Sequence, residues 1–387
     1  MPNWKSRLSA VAVAAIAAAA SMPSHAQEPI SIAALYNVSS GGLASLDGPS
    51  LNGVKLKAKM INDAGGLLDG RMIDVNAIDT KNDTGETATA AKRALSIDNL
   101  AAGIGQSDTT FALAAAPLFQ SAGVSFVTSG ATSPDLPTMV GDQMFLVPFG
   151  DDVQAHAMAE YAYGELGLRN IAMWTDNGMD YTTGLSKYFK ERFTDLGGEV
   201  SLEDSYMTSD QDFSALVARL KSSGDVDGVF ASSGPDTAGI IVKQIREAGI
   251  AAPILAGDGF DTDLLTSVPG PKLSTDVYFT THAYTGIDSG PADEFRKAYT
   301  AEYGNAPENA FAALGYDAMG LVADAITRAG SAEPAEVTKA LASTDGYEAV
   351  TGTIAYKEGS RVPSKPVAIM KVIGGEVSFD TTVTPKG

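Results

Sequence analysis

Two α/β lobes, each built on a doubly wound parallel sheet, are what the sequence predicts. Three observations carry this. Short β-branched or apolar runs alternate with longer helical patterns through residues 30–281, the pattern of parallel strands joined by crossover helices. Glycines stop the helical patterns at Gly65-Gly66, Gly123, Gly197-Gly198 and Gly249. The alternation falls into two series of comparable length, and 387 residues is a length that suggests two domains.

The first series starts with a strand at 30–36. A helix follows at 48–64, with Leu51, Val54, Leu56, Ala58 and Ile61 on or near one side. Next come a strand at 72–79, a helix capped by Asp83 or Thr84 and reaching residue 97, and a buried strand at 101–105. Thr109 and Thr110 cap a helix that runs to Ala122. Strands at 125–129 and 145–147 lead to a helix at 151–166. The second series places strands at 170–174, 199–206, 226–231, 253–256 and 277–281, with helices at 181–196, 213–222 and 235–248. The last third departs from alternation. Helices at 292–303, 311–329 and 334–343 precede strand-like pieces at 352–356, 367–373 and 376–379. These make a poor third domain, and the simpler reading has the chain returning to complete both lobes.

Residues 1–26 read as a secretory signal peptide. Lys5 and Arg7 precede an apolar run over 8–20, Met22-Pro23 break it, and Ser24-His25-Ala26 is a small-x-small cleavage pattern. The apolar run is about 13 residues, whereas a membrane span needs about 20. No Cys stands at the cleavage point, so a soluble periplasmic protein without a lipid anchor is expected. With no Cys anywhere, the fold is held by buried area and not by disulfides. The chain carries 27 Lys and Arg against 47 Asp and Glu, a net charge of −20, with no basic run. That argues against nucleic acid and anionic membrane surfaces, both of which need clustered cations.

Catalytic signatures are missing. There is no G-x-G-x-x-G after the first strand, no phosphate loop, no G-x-S-x-G and no H-E-x-x-H. Beyond the leader the only histidines are His156 and His282 and there is no Cys, so a zinc site is not expected. Asp79, Asp83, Asp151, Asp152, Asp261 and Asp263 could suggest calcium but lack EF-hand spacing and fit caps and solvated turns better. An enzyme is disfavoured, although a secreted hydrolase working with carboxylates alone remains the alternative of a different class. In open α/β sheets ligands bind beyond the carboxyl ends of strands. The turns there, at 39–42, 105–110 and 128–134, are rich in Gly and hydroxyls. Such turns suit a carboxylate, and each also fits an ordinary helix cap. The aromatic candidates are Tyr181, Phe149, Phe260 and Phe311, each of which also fits simple packing. Tyr181 opens a helix after the loop 176–180. Asp258, between Gly257 and Gly259, follows a strand where it could hold an ammonium group; a plain turn aspartate is the competing reading.

Several runs taken together resemble a family. They are Ile-Asn-Asp-Ala-Gly-Gly-Leu-Leu-Asp-Gly at 61–70, Ala-Leu-Ala-Ala-Ala-Pro at 112–117, the turn 128–134, Asp-Phe-Ser-Ala-Leu at 212–216 and Ala-Ala-Leu-Gly-Tyr-Asp-Ala at 312–318. The chain resembles the periplasmic solute-binding proteins of the Leu/Ile/Val-binding (branched-chain amino acid) type, which serve ABC importers. The resemblance implies the type I fold of those proteins, with two lobes joined by a three-crossing hinge. Lobe one would be 27–149 with 283–350, and lobe two 150–282 with 351–387. It implies a monomer that binds a small molecule in the cleft, uses no cofactor, and passes its cargo to the permease subunits.

The resemblance also assigns roles. An amino-acid carboxylate would meet Thr109, Gly130 and Thr132, its ammonium Asp258, and its side chain Tyr181 and Phe311. Three positions depart from the family pattern. Leu46 stands where an aromatic is usual in the first loop, Ser233-Gly234 occupies the region of a second-lobe tyrosine, and Asp108 adds a negative charge beside the expected carboxylate site. An amino acid is the first expectation for the cargo, with an aromatic acid, an amide or another small polar solute as the alternative.

Overall fold

The computed structural model describes Met1 and residues 28–224 and 226–386, so the signal-peptide reading otherwise lies outside the described residues. The first lobe is centred on a five-stranded sheet of β1 (Ile30–Tyr36), β2 (Ile73–Asp79), β3 (Leu100–Gly105), β4 (Ser125–Thr128) and β5 (Met144–Leu146). Its order is β2-β1-β3-β4-β5 and every pairing is parallel. Helices α1 (Ala44–Asp63), α2 (Thr84–Ala94), α3 (Thr109–Ala122) and α4 (Leu136–Val140) connect these strands. Covered on both faces, β1 and β3 are buried at every residue, which is why they read as continuous apolar runs.

Helix α5 (Asp151–Gly164) carries the chain into the second sheet. Here β6 (Asn170–Asp176), β7 (Glu199–Tyr206), β8 (Gly228–Ser232), β9 (Ile254–Ala256) and β10 (Val277–Thr281) run parallel. They are joined by α6 (Asp180–Asp195), α7 (Ser214–Ser222), α8 (Pro235–Glu247) and the single turn α9 (Leu264–Ser267). After β10 the chain returns to the first lobe as α10 (Gly290–Tyr303), α11 (Ala310–Ala329), α12 (Pro334–Ala342) and the small ribbon β11 (Asp345–Tyr347) with β12 (Ile354–Ala355). It crosses a third time to add β13 (Val367–Ile373) and β14 (Glu376–Val383), giving the order β14-β13-β10-β9-β8-β6-β7.

Two features differ from expectation. The second sheet is mixed, because β13 pairs antiparallel with both β10 and β14. Gly374 and Gly375 both take positive φ between β13 and β14, and a two-residue turn of that kind can join only antiparallel neighbours. Helix α1 also begins at Ala44 rather than at residue 48, with Pro49 inside it. Proline cannot donate to the Ser45 carbonyl one turn back. The Asn309 amide donates to that carbonyl instead, at 2.9 Å, so the helix survives its proline.

The returning helices build the first lobe's core. Leu314, Ala318, Met319 and Leu321 of α11 pack with Ile32, Val54 and Val127 in one buried cluster. A Cβ on Gly53 would lie 2.0 Å from the Ala312 carbonyl oxygen, and one on Gly315 would lie 1.9 Å from that of Ser50. The backbones of α1 and α11 meet there with no room for a side chain. Helix α11 is long and apolar enough to cross a membrane, but its apolar residues are spent on this core.

A closed cavity between the lobes as the candidate solute site

The carboxyl ends of both sheets face one another, and the loops that follow their strands enclose a narrow pocket with about 10 Å³ of water-accessible space. Leu43, Leu46, Ser107, Asp108 and Phe311 line it from the first lobe. Met179, Tyr181, Gly234, Pro235, Asp258 and Gly259 line it from the second. That is room for about one water, far below the roughly 300–1,000 Å³ of common ligand pockets, so the lobes are shut here and must part to admit a solute.

Hydrogen bonds between the lobes hold that cleft. The Gly42 N–H donates to Asp236 Oδ1 at 2.6 Å, the hydroxyls of Ser45 and Thr262 are 2.7 Å apart, and the Asp180 N–H donates to Thr110 Oγ1 at 3.1 Å. Asp261 Oδ2 accepts the Ala310 N–H at 3.0 Å, tying the second lobe to the start of α11.

On the second-lobe wall, Asp258 sits in a 3₁₀ turn just after β9 and is 2% exposed. Gln154 on α5 holds it. The Gln154 Nε2 donates to Asp258 Oδ1 and to Asp151 Oδ1, both at 2.9 Å. Its Oε1 accepts the Asp258 N–H at 3.1 Å and the Thr280 hydroxyl at 2.6 Å. Two carboxyl oxygens on one side and two donors on the other fix the amide's orientation. His282 Nε2 hydrogen-bonds Asp258 Oδ2 at 2.8 Å, and the imidazole is clamped by Phe149 and Phe311, with ring centroids 4.2 and 5.6 Å away. Burial, with Asp258 next to it, holds Asp151 well above the ordinary carboxylate range. Tyr181 accepts the Gly259 N–H at 3.1 Å, and burial beside Asp258 and Asp151 keeps its phenol protonated.

On the first-lobe wall, the Asp108 carboxyl caps α3 by accepting the Thr110 N–H at Oδ1, 2.8 Å away. Its other oxygen is buried with no hydrogen bond of good geometry, while the Thr110 hydroxyl and the Phe111 N–H lie near the carboxyl, and the residue is 3% exposed. Burial pushes Asp108 up to about 6. Behind it Asp47, pushed up to about 7 by burial, accepts the N–H groups of Asn37 and Ser107 at 2.7 and 3.0 Å. Asn309 caps α11 and thereby aims Phe311, accepting its N–H at 3.1 Å.

Of the residues singled out in the sequence, Leu46, Asp108, Tyr181, Asp258 and Phe311 share this cavity. Thr109, Gly130 and Thr132 do not line it. They are buried beneath it, Thr109 at the start of α3 and the other two in the loop after β4, where Thr109 Oγ1 accepts the Ser133 N–H at 3.4 Å, the Gly130 N–H donates to Thr128 Oγ1 at 3.2 Å, and the Thr132 carbonyl accepts the Asp151 N–H at 2.8 Å. Phe149 and Phe260 are wholly buried packing residues. Sequence reasoning missed Gln154, Asp47 and the part played by His282, because isolated polar residues within helices or after strands carry no spacing signal.

A closed pocket between two α/β lobes, joined by three crossings and lined from both sides, defines a solute receptor that works by clamping. The comparisons agree. The periplasmic binding protein family model matches residues 29–376, and the chain belongs to that family. It is 28% identical over 353 residues to "Leu/Ile/Val-binding protein homolog 3" of Brucella melitensis, covering 89% of this chain and 94% of that one. Among solved structures, the leucine-binding protein LivK of Thermotoga maritima is 31% identical with a TM-score of 0.85, over 92% of this chain and 99% of that one. The branched-chain amino acid transporter substrate-binding protein LivJ of Streptococcus pneumoniae, in complex with isoleucine, is 30% identical with a TM-score of 0.86, over 92% and 100%. The protein is therefore a solute-binding receptor of the periplasmic binding protein family rather than an enzyme, and it works outside the cytoplasmic membrane.

Proposed function

We propose that the receptor binds one small solute, an amino acid or a close relative, in the interlobe cavity and delivers it unchanged to the permease subunits. The observation that carries this is the cavity itself, with a carboxyl group from each lobe at its wall and aliphatic and aromatic side chains between them. The names of the relatives support the amino-acid class. Leu46, Tyr181, Phe311, Asp108 and Asp258 are the contact residues in this reading, with Thr109, Gly130 and Thr132 shaping the loops under them. The lobes are 27–149 with the returning chain, and 150–282 with β13 and β14; the boundary expected at 350 shifts to after Tyr356, because Ile354 and Tyr356 pack in the first lobe's core before the chain crosses to β13. The mature protein is a soluble periplasmic monomer released after Ala26.

Contacts from both lobes stabilise the closed form, so binding and closure are linked. A thermal-shift screen of amino acids, amines, amides and aromatic acids tests this, because a ligand specific to the folded state raises its melting temperature. The selected solute is recovered chemically intact; recovery of an altered product contradicts the reading. Asp258→Ala weakens binding of a cationic group by about 2–5 kcal/mol, as when one member of a buried charge pair is removed. An unchanged affinity removes Asp258 from the site.

A further inference from the structure

Two facts about the cavity point the same way. Its charged lining residues among those described are both acidic, Asp108 from the first lobe and Asp258 from the second, and no Lys or Arg among the described residues lines it. They differ in how they are satisfied. Both oxygens of Asp258 have partners in Gln154 and His282. Asp108 Oδ2 has no hydrogen bond of good geometry, although it is buried from solvent at the cavity wall.

A buried acceptor without a donor is costly, and native structures rarely leave one without a reason. A ligand carboxylate at this wall would make matters worse, setting two anions together where water cannot screen them. An N–H group would supply the missing donor. The hydroxyl-bearing Thr109 and Thr132 and the backbone of Gly130, which could have received a carboxylate, lie outside the lining.

We propose that Asp108 is a ligand-binding residue, and that the end of the solute facing the start of α3 is an N–H donor, ammonium or amide, and not a carboxylate. This rests on the reading of the cavity as the solute site and narrows the class of cargo. Leu43, Leu46, Met179 and Phe311 then flank a short apolar body.

Calorimetry on the ligand-stripped full mature chain tests the assignment with four probes. These are 1,4-diaminobutane for the ammonium, propionamide for the amide, leucine carrying both ammonium and carboxylate, and isovalerate, which has a carboxylate and no N–H. The partner variant is Asp108→Asn. Asparagine also caps helices, so the fold is kept, and equal melting temperatures of the two empty proteins check this. At least one N–H probe binds, isovalerate does not, and Asp108→Asn lowers the affinity of the bound probe at least tenfold. Binding of the diamine identifies an ammonium at Asp108, and binding of propionamide identifies an amide. The assignment is overturned if isovalerate binds as well as the N–H probes. It is also overturned if Asp108→Asn leaves the affinity for leucine within twofold or raises it; in either case the cavity remains the solute site. If none of the four binds, the N–H assignment falls, while the receptor reading is decided separately by the wider thermal-shift screen.

Discussion

Gln154 shows how one side chain sets the character of a wall. Its amide bridges Asp151, Asp258 and Thr280, which holds Asp258 in one orientation. Gln154→Ala strips the Asp258 N–H and Oδ1 of their partner at a buried site. Leaving such groups unpaired costs about 1–3 kcal/mol, and urea denaturation of the empty protein reads this as a lower midpoint with an unchanged slope. The buried carboxyls also set a pH dependence. Asp47 and Asp108 have folded values of about 7 and about 6 against an ordinary 3.8, raised by burial. The folded state therefore holds more protons than the unfolded state between these values, and stability falls as pH rises through that window. The empty protein melts at a higher temperature near pH 5 than near pH 7.5, and Asp47→Asn flattens the difference. A melting temperature that rises with pH across this range contradicts the assignment of these groups as buried and unpaired with cations. These residues were not legible beforehand. Asp47 and Gln154 are single polar residues on helices, and only the fold brings them behind the residues that line the cavity.

Elements were more readable than residues, for a physical reason. Strands β1 and β3 are buried on both faces and helices such as α8 are amphipathic, so burial wrote their periods into the sequence. Helices α4 and α9 span only five and four residues, too short for a 3.6-residue period to declare itself. The start of α1 was hidden because Pro49 normally opens a helix, and its tolerance depends on Asn309, far away in sequence. The antiparallel placement of β13 against β10 is likewise a tertiary choice. The contact of α1 with α11 gives a sharp test. Gly53→Ala would drive a methyl group onto the Ala312 carbonyl, so the helices must separate. Overpacking of this kind costs about 1–3 kcal/mol. Denaturation of Gly53→Ala against Gly48→Ala, where a Cβ meets nothing within 4 Å, isolates the packing from helix propensity.

At the scale of the whole molecule, function lies in the relation between two lobes that each have their own core. Two chain-connected sheets with separate buried clusters can move as bodies, while the hydrogen bonds across the cleft favour the shut form. Removing the Gly42–Asp236 contact with Asp236→Ala, or the Ser45–Thr262 contact with Thr262→Val, speeds release of the solute. A hydrogen bond of net worth about 0.5–1.5 kcal/mol corresponds to roughly two- to twelvefold each. Stopped-flow dissociation measures this, and unaltered release rates separate those contacts from closure. The lobe architecture was legible from the alternation of strands and helices, and the family resemblance supplied the connectivity that alternation alone does not give. The polarity of the cavity was not legible, because it depends on which of two neighbouring residues, Asp108 or Thr109, reaches the lining.

The most direct test is a crystal structure of the protein saturated with the solute that calorimetry selects. The solute should lie intact between Tyr181 and Phe311, with an N–H group on Asp108 Oδ2 and its body against Leu46. Density for that solute elsewhere on the surface, with this cavity still empty, would contradict the account.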